Sequence, residues 1–505
     1  MTTCKGYLKS AALILVTVLI VHAFMFSCGA DDQGVSGNPK NDGIPENQAG
    51  PANPDNAETT EKITYEVPEM DLGGYNFKAL VREGWTIYWY CVDVFAEAEN
   101  GEPINDAIYR RNRFLEDKFN IEISEIRQGD VYSFAQKLIK SGSDDFDVMF
   151  PTLQQSALLI QQGYLLNLLD VPHLNFDKPW WNKTANDSLT IGKKLYSATG
   201  NITTMTNDAT WVCLFNKEML RDFGFSDHYQ MVKEGNWTID ILHENARAAT
   251  KDLNGDGILT PEDQWGAIGQ YESAYCLFAA TGQFIAKKDA DDLPTLVLND
   301  DRTVSSLNKI VDFMKDDFAY INADDYTSKY ENVWIEITTN AFAESRCLYL
   351  ITNIEIVKNL RGMETNFGIL PLPKLDSAQD TYYNTMQYGN ASCMSLPITI
   401  SEPERNGAIL EAWAAESVET LTRAYYDINL KGKNARDDES EDMLDLIFST
   451  RVIDQGMYFN WAGLYNFFTD FASKKTVEFA SAYEKAEPKW VSAIEKTLEA
   501  IKENN

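Results

Sequence analysis

The chain has 505 residues, enough for two or three domains with sizeable cores. It carries 76 acidic and 44 basic residues, and its formal net charge of -32 argues against nucleic acid as a partner, because phosphate backbones require a basic protein face. Aromatic residues make up 12% of the sequence, so the chain as a whole is not disordered.

The first 27 residues have the pattern of an export signal. Two lysines precede an apolar run over residues 11–27, and the chain turns polar directly after Cys28. A cysteine following the small residue Ser27 is typical of a bacterial lipobox, whose cysteine is acylated, as with palmitate, and becomes the new N-terminus. Because Met25 and Phe26 depart from the usual lipobox residues, a plain secretory signal or an uncleaved membrane helix stays open, although spanning takes roughly 20 apolar residues.

Residues 28–62 form a predicted flexible linker behind that lipid anchor. Residues 29 to about 61 are rich in Gly, Asn, Asp and Pro and lack aromatic residues, so they cannot bury enough apolar surface to fold. Such a spacer would let a folded body stand off the membrane.

From residue 63 onward the pattern alternates strand-like and helix-like segments. Strands are predicted at 75–81, 121–126, 147–150, 211–215, 347–352 and 367–371. Helices are predicted at 106–119, 131–140, 217–223, 239–250 (with Thr238 as N-cap), 411–426, 441–448 and 477–501. The β-α-β-α-β order at the start predicts a doubly wound α/β domain with a mostly parallel sheet, whose ligands bind at the carboxyl ends of the strands.

A calcium-loop motif is the sharpest local pattern in the chain. Loop positions 1, 3, 5, 7, 9 and 12 are filled by Asp252, Asn254, Asp256, Ile258 (through its carbonyl), Thr260 and Asp263. Gly257 at position 6 permits the sharp turn, whereas Asp263 is shorter than the usual glutamate and no second helix is evident. The motif predicts a structural Ca²⁺ site, and the alternative is an Asp/Asn/Gly turn that binds nothing.

Several segments together resemble the family 1 extracellular solute-binding proteins. These segments are residues 146–153, 163–168, 177–182, 192–196, 215–220, 367–374 and 430–437. Their order and spacing cover nearly all of residues 63–505, which makes them specific for the family but not for a ligand.

The resemblance implies an α/β clamp of two lobes, each a sheet flanked by helices. The N-terminal lobe would comprise residues 63–206 plus 389–440, and the C-terminal lobe residues 207–388 plus 441–505. Hinge crossovers are expected near 207–210 and 388–391, so that the lobes close on a ligand in the cleft between them.

The family further implies a monomeric lipoprotein on the extracellular face of a Gram-positive cell membrane. It would capture a carbohydrate, most simply an oligosaccharide, and deliver it to the permease subunits of an ABC transporter. A peptide or other polar solute as ligand, or a surface glycan adhesin without a transporter, stays an alternative because one fold hosts many ligands.

Sugars present apolar C–H faces and many hydroxyls, so a sugar cleft needs aromatic platforms together with carboxylate and amide side chains. The predicted ligand-binding residues are Trp85, Trp89, Asn207, Asp208, Trp211, Asn353, Tyr388 and Trp461. Asp208 is the strongest single candidate as a hydroxyl acceptor. Core packing is the competing interpretation for each tryptophan, and turn capping for the hinge Asn and Asp.

An enzyme, such as a glycosidase with two carboxylates, is the rival class. The sequence has no G-x-S-x-G elbow, H-E-x-x-H helix or P-loop. The chain beyond Cys28 holds three scattered histidines and five isolated cysteines, which are predicted to be buried and inert: Cys91, Cys213, Cys276, Cys347 and Cys393. We therefore expect a binding protein and no catalytic residues.

Overall fold

The computed structural model describes residues 64–83, 91, 93–360, 362–426, 438–475 and 478–503. The predicted signal, the anchor at Cys28 and the linker lie outside these residues. The described strands are β1 (Tyr75–Arg82), β2 (Ile121–Gln128), β3 (Val148–Met149), β4 (Trp211–Asn216), β5 (Trp265–Gly269), β6 (Ala286–Lys288), β7 (Pro294–Leu296), β8 (Tyr320–Asn322), β9 (Cys347–Asn353) and β10 (Phe367–Leu370).

The first sheet is parallel, in the order β2-β1-β3. Its register pairs Tyr75 with Ile121 and Leu80 with Met149. Alternate residues of β1 and β2 that face inward, such as Phe77 and Ile123, are apolar and buried, as period-2 strands require. The parallel order predicted for this part of the chain is confirmed.

The second sheet is mixed, in the order β10-β4-β9-β5-β8. β4 runs antiparallel to β9 and β10, whereas β5, β8 and β9 run parallel to one another. β6 and β7 form a separate antiparallel pair. Strands β5 to β8 were not predicted, because each is only three to five residues long and carries no clear alternation.

The described α-helices are α1 (Pro103–Phe119), α2 (Val131–Lys140), α3 (Leu153–Gln161), α4 (Lys183–Leu189), α5 (Met205–Asp208), α6 (Lys217–Asp222), α7 (His228–Lys233), α8 (Ile239–Ala249), α9 (Ser273–Ala280), α10 (Asp301–Met314), α11 (Asn340–Ala343), α12 (Pro403–Ser417), α13 (Asp438–Ser449), α14 (Gln455–Tyr458), α15 (Leu464–Lys474) and α16 (Phe479–Glu503). Short 3₁₀ and π segments are Leu168–Asp170, Ala323–Tyr326, Trp334–Thr339, Ile354–Leu360, Val418–Thr422 and Trp461–Gly463.

Local sequence explains where several helices begin and end. Proline occupies the first turn of α1, where its missing N–H costs nothing, and Asn120 ends that helix in the left-handed conformation. Asp130 caps α2 by accepting a hydrogen bond from the amide of Ser133. Thr238 does precede α8 as predicted, but its side chain makes no capping hydrogen bond.

Helices cover the sheets and bury a large apolar core, with a second cluster that includes Val212, Ile268 and Leu350 of the second sheet. α12, from the late part of the chain, packs on α1, while α13 packs on β10. α15 packs on α9, which follows β5 of the second sheet, and α16 packs on α3, which follows β3 of the first sheet. The C-terminal helices therefore contact helices that belong to both sheets. Sheets flanked by helices confirm the predicted α/β class, while the lobe boundaries stay a prediction.

The five cysteines beyond the predicted anchor are buried free thiols, as expected. Burial raises the pKa of each of them, which keeps the thiols protonated and unreactive. Across the part of the chain that the structure describes, none of the helices combines the length and apolarity needed to cross a bilayer.

Candidate functional site

The carboxyl ends of parallel strands bring polar side chains to one edge of each sheet. In the second sheet, Asn322 ends β8 and Asn353 ends β9, while Glu272 follows β5 by three residues. β4 runs in the opposite direction, so its first residue, Trp211, lies beside Asn353 as its register partner. In the first sheet, β1 ends at Arg82. Such edges are where α/β proteins bind ligands.

Two chain crossings run side by side between these edges. Thr210 bridges to Met386, the amide of Trp211 donates to the carbonyl of Thr385 (2.9 Å), and the amide of Gln387 donates to the carbonyl of Ala209 (2.8 Å). The segments predicted as hinge crossovers are therefore neighbours, and any movement of one crossing must carry the other with it.

A chain of hydrogen bonds joins the two sheet edges through the second crossing. Gln387 donates through Nε2 to Oε2 of Glu272 (3.0 Å) and accepts from Asn390 Nδ2 (2.6 Å). Arg82 donates to the carbonyls of Gly389 and Asn390, at 3.0 Å each. We call Glu272, Gln387, Asn390 and Arg82 the edge relay. It ties the end of β1 to the end of β5.

Besides Nδ2 of Asn322 on the outer strand β8, three buried polar atoms at these edges lack a partner among the described residues. They are the Nε1 donor of Trp211, the Oδ1 acceptor of Asn353 and the Nε donor of Arg82. Buried polar groups are almost always hydrogen-bonded, and leaving one unpaired costs about 1–3 kcal/mol. Two donors and one acceptor together match the capacity of hydroxyl groups, each of which can donate and accept.

Asp208 lies in a buried ion cluster and already has protein partners. Its side chain accepts from Lys358 Nζ (2.6 Å) and from the Tyr425 hydroxyl (2.8 Å), and Lys358 also lies 3.6 Å from Glu355 Oε1. Burial lowers the pKa of Lys358, but the charges and hydrogen bonds of Asp208 and Glu355 raise it by more, so the net shift of this pKa is upward. A sugar hydroxyl would have to compete with Lys358 and Tyr425 for this carboxylate.

Asn207, the other polar residue of the first crossing, accepts from Arg451 Nη1 at 2.7 Å. Arg451 is buried against the ring of Phe448, its guanidinium carbon 4.9 Å from the ring centroid. Burial lowers its pKa to about 10, which leaves it cationic at neutral pH. Nothing in the local sequence around Arg451 indicates this role, because the contact joins residues 244 positions apart.

Tyr388 and Trp461 lie in the core with their polar atoms engaged. The Tyr388 hydroxyl accepts from the amide of Asp454 (2.9 Å) and lies 3.1 Å from the Tyr275 hydroxyl. Trp461 donates to Thr497 Oγ1 (3.0 Å) and stacks on Phe459. The structure thus places Tyr388 and Trp461 in packing positions. It brings Trp211 and Asn353, by contrast, together at the sheet edge. Trp85 and Trp89, which follow β1, lie outside the described residues.

The calcium-loop residues form a tight network of their own. Both carboxylate oxygens of Asp252 accept backbone amides, from Gly255 and Gly257, at 2.7 Å each. Asp263 is buried and accepts from the amides of Leu253 and Thr260. Burial raises the pKa of Asp263, but these hydrogen bonds more than offset it and lower the pKa overall.

The donor atoms of this loop are all oxygens, which suits a hard cation such as Ca²⁺. Within the described ranges, however, no three carboxylate, imidazole or thiol side chains come together as a metal-binding group. The loop chemistry therefore fits calcium, while the arrangement of its carboxylates is not a preformed cage.

The fold has clear relatives among solved structures, although neither a protein-family model nor a curated protein matches the sequence. The ABC substrate-binding protein Lmo0181 from Listeria monocytogenes, in complex with cycloalternan, shares 12% identity at TM-score 0.51, covering 85% of this chain and 98% of its own. A cyclo/maltodextrin-binding protein complexed with maltotetraose shares 15% identity at TM-score 0.53, covering 85% and 96%. Apo RafE from Streptococcus pneumoniae shares 12% at TM-score 0.51, covering 87% and 100%.

These likenesses establish the architecture. The chain has the α/β fold of two-domain, periplasmic-binding-like proteins, as the sequence predicted. Sequence reasoning found Trp211 and Asn353 at the edge but missed Arg82, Glu272, Gln387 and Arg451. For two of these residues the sequence offers a positional signal. Arg82 directly follows the predicted first strand, and Gln387 directly precedes Tyr388 at the start of the predicted second crossing.

The Asp208 ion cluster generates a stability prediction. Asp208→Ala leaves Lys358 and Tyr425 without their acceptor and should lower the free energy of unfolding by about 2–3 kcal/mol, less than for a fully buried pair because Lys358 is 31% exposed. Asp470→Ala, which removes an exposed partner of Lys474, is the matched control and should have no measurable effect. Equal urea midpoints for both variants and the wild type would contradict the cluster's role.

The edge relay generates a pH prediction. Burial raises the pKa of Glu272 to about 7, the amide of Gln387 lowers it, and the charge of Asp324 raises it again. The folded chain thus holds this proton more tightly than the unfolded chain, whose carboxyl has a pKa near 4.5, so stability should fall as pH rises between these values. Between pH 4.5 and pH 7.5, the free energy of unfolding in urea should fall less in Glu272→Gln than in the wild type, by about 1–3 kcal/mol. Glu218→Gln, which changes an exposed carboxylate, is the control and should show the same pH difference in stability as the wild type. If Glu272→Gln shows that same difference, Glu272 is not the group that titrates.

Proposed function

We propose that this chain is the substrate-binding component of an ABC importer for carbohydrate and that the ligand binds between the two sheet edges. The observation that carries the proposal is the set of unpaired polar atoms on Trp211, Asn353 and Arg82. Their position at strand ends, beside the paired crossings, is where a two-lobed α/β clamp encloses its ligand.

The structural relatives support the class of ligand. Two of them are described as substrate-binding or dextrin-binding proteins in complex with sugars. They are binding proteins, which supports a non-catalytic role for this chain at the level of the fold. An oligosaccharide is the preferred form of the ligand, because a row of donors and acceptors along a sheet edge can engage successive rings.

Location and partners belong to the same proposal. The signal-like N-terminus and Cys28 support a lipid-anchored receptor on the outer face of the cell membrane, with the linker as spacer and permease subunits as partners. A chain with net charge -32 would also be repelled by anionic envelope surfaces, which favours a receptor held by its lipid alone.

Calcium binding by residues 252–263 is a separate structural proposal. It rests on the motif spacing and the all-oxygen donor set, and it requires the loop carboxylates to turn toward a common centre. The ion would stabilise the loop that precedes β5 and take no part in ligand capture.

Ligand binding is tested by isothermal titration with maltotetraose and cycloalternan, followed by a wider panel of oligosaccharides. The wild type should bind at least one sugar. Trp211→Phe keeps an aromatic ring but removes the Nε1 donor, and it should weaken binding of that sugar about tenfold or more. Trp413→Phe is the matched control, since Trp413 also has a buried indole N–H without a described partner but packs on Phe77 and Arg111 in the core. Unchanged affinity in Trp211→Phe would place the ligand elsewhere, and binding of a peptide in preference to every sugar would overturn the ligand class.

Calcium is tested by melting the protein in chelator and in millimolar calcium. A ligand that binds only the folded state raises the melting temperature, so calcium should raise it in the wild type and much less in Asp252→Asn. Asp291→Asn, in an exposed acidic turn outside the loop, should respond like the wild type. The same melting temperature with and without calcium would remove the ion from the account.

A further inference from the structure

A pocket lies along β8, the outer strand of the five-stranded sheet. Its volume is 420 Å³, and its lining includes Trp265, Phe318, Tyr320 and Tyr326. Pockets that hold small organic ligands begin at about 300 Å³, so this one accommodates a compact molecule. It shares none of its lining residues with the edge relay or with the unpaired atoms of Trp211, Asn353 and Arg82.

Asn322, which also lines this pocket, carries a donor without a described partner. The residue is 4% exposed, and its Oδ1 accepts from the amide of Asp324 (3.0 Å), where it caps a turn of 3₁₀ helix. Its Nδ2 group is buried and has no hydrogen-bond partner in the described part of the chain. A buried amide donor of this kind needs an acceptor, and a ligand in the pocket would supply one.

Aromatic surface is available beside that donor. Phe318 lines the pocket and is 61% exposed, so much of its ring is open to a ligand. The guanidinium carbon of Arg247 lies 5.7 Å from its ring centroid and holds the ring in place. Tyr326 is partly buried, also lines the pocket and adds a second ring, with Lys329 Nζ 5.6 Å from its centroid.

The charged groups of the pocket restrict what can bind. Asp317 and Asp325 line the pocket together with one ammonium, that of Lys475, which lies 2.7 Å from Asp317. Asp325 also accepts from the hydroxyl of Tyr271. Among the lining residues, two carboxylates and one ammonium leave an excess of negative charge, which disfavours an anionic ligand. A quaternary ammonium would suit the rings and the acids, but it cannot accept the hydrogen bond that Asn322 Nδ2 offers.

We propose that this pocket is a second ligand site that binds a single neutral polyhydroxylated ring, a monosaccharide or one terminal residue of a glycan. The ring's C–H face would stack on Phe318, its oxygens would accept from Asn322 and Lys475, and its hydroxyls would donate to Asp317 and Asp325. The inference does not rest on the ligand proposed for the sheet edges, because it follows from the donors, acids and rings of the pocket alone.

Trp265 supplies a local reporter. Trp265 lines the pocket, and its indole Nε1 donates to the carbonyl of Thr260 (2.7 Å). The indole N–H resonance of Trp265, assigned by its loss in Trp265→Phe, should therefore shift when the pocket fills. The full chain is titrated with D-glucose, D-galactose and D-xylose, and in parallel with choline and inorganic phosphate.

A saturable shift with at least one of the three sugars, and none with choline or phosphate, is the expected result. Phe318→Ala should lower the affinity for that sugar about three- to tenfold, because it removes the stacking ring. Asn322→Asp keeps the capping oxygen but removes the donor, and should weaken it about tenfold. Phe114→Ala, which removes a phenyl that is 44% exposed on α1, should bind like the wild type.

The outcomes separate this pocket from the sheet edges. Trp211→Phe should leave the Trp265 shift and its midpoint unchanged, so failure of the edge site leaves this test intact. The proposal is overturned if no sugar shifts the Trp265 resonance, if choline or phosphate shifts it instead, or if the sugar shift survives in both Phe318→Ala and Asn322→Asp with the wild-type midpoint.

Discussion

The pairing of two chain crossings is the constraint on which the rest of the structure depends. Backbone hydrogen bonds hold Ala209 to Gln387 and Trp211 to Thr385, so the start of β4 is fixed against the segment that returns to the first sheet. This pairing sets Trp211 beside Asn353 and aims the edge relay from β5 back to Arg82. Without it, the two sheets would have no shared edge at which a ligand could meet both.

The buried polar groups around these crossings divide into those that already have protein partners and those that do not. Asp208 is neutralised by Lys358, and Asn207 is held by Arg451, so both serve to fix the first crossing. The atoms left unpaired belong instead to Trp211, Asn353 and Arg82. Because an unpaired buried polar atom is costly and an ion pair already has its partner, the unpaired atoms rather than the carboxylate carry the proposed ligand site.

The two proposed sites use the same chemistry in different settings. At the sheet edges, the donors and acceptors come from residues far apart in sequence that meet through the crossings. In the pocket along β8, five of the eleven lining residues lie from Asp317 to Asn322, and Asp325 and Tyr326 follow closely in the chain. The fold adds the remaining four: Gly257, Leu259, Trp265 and Lys475. The first site therefore depends on how the two sheets are held together, while the second is built mostly from one strand of the second sheet and the segments that flank it.

The sequence by itself determined the elements whose patterns are long and regular. The alternation in β1 and β2, the helical period of α1 and α2 and the resulting parallel order were all predictable, as was burial of the cysteines, because these depend on periodicity and local apolar context. Only the tertiary structure decided which polar residues are satisfied. Asp208 meets Lys358 across 150 positions and Tyr425 across 217, whereas the indole N–H of Trp211 has no partner among the described residues. Such pairings are set by how distant strands and crossings pack, and no local pattern in the sequence encodes them.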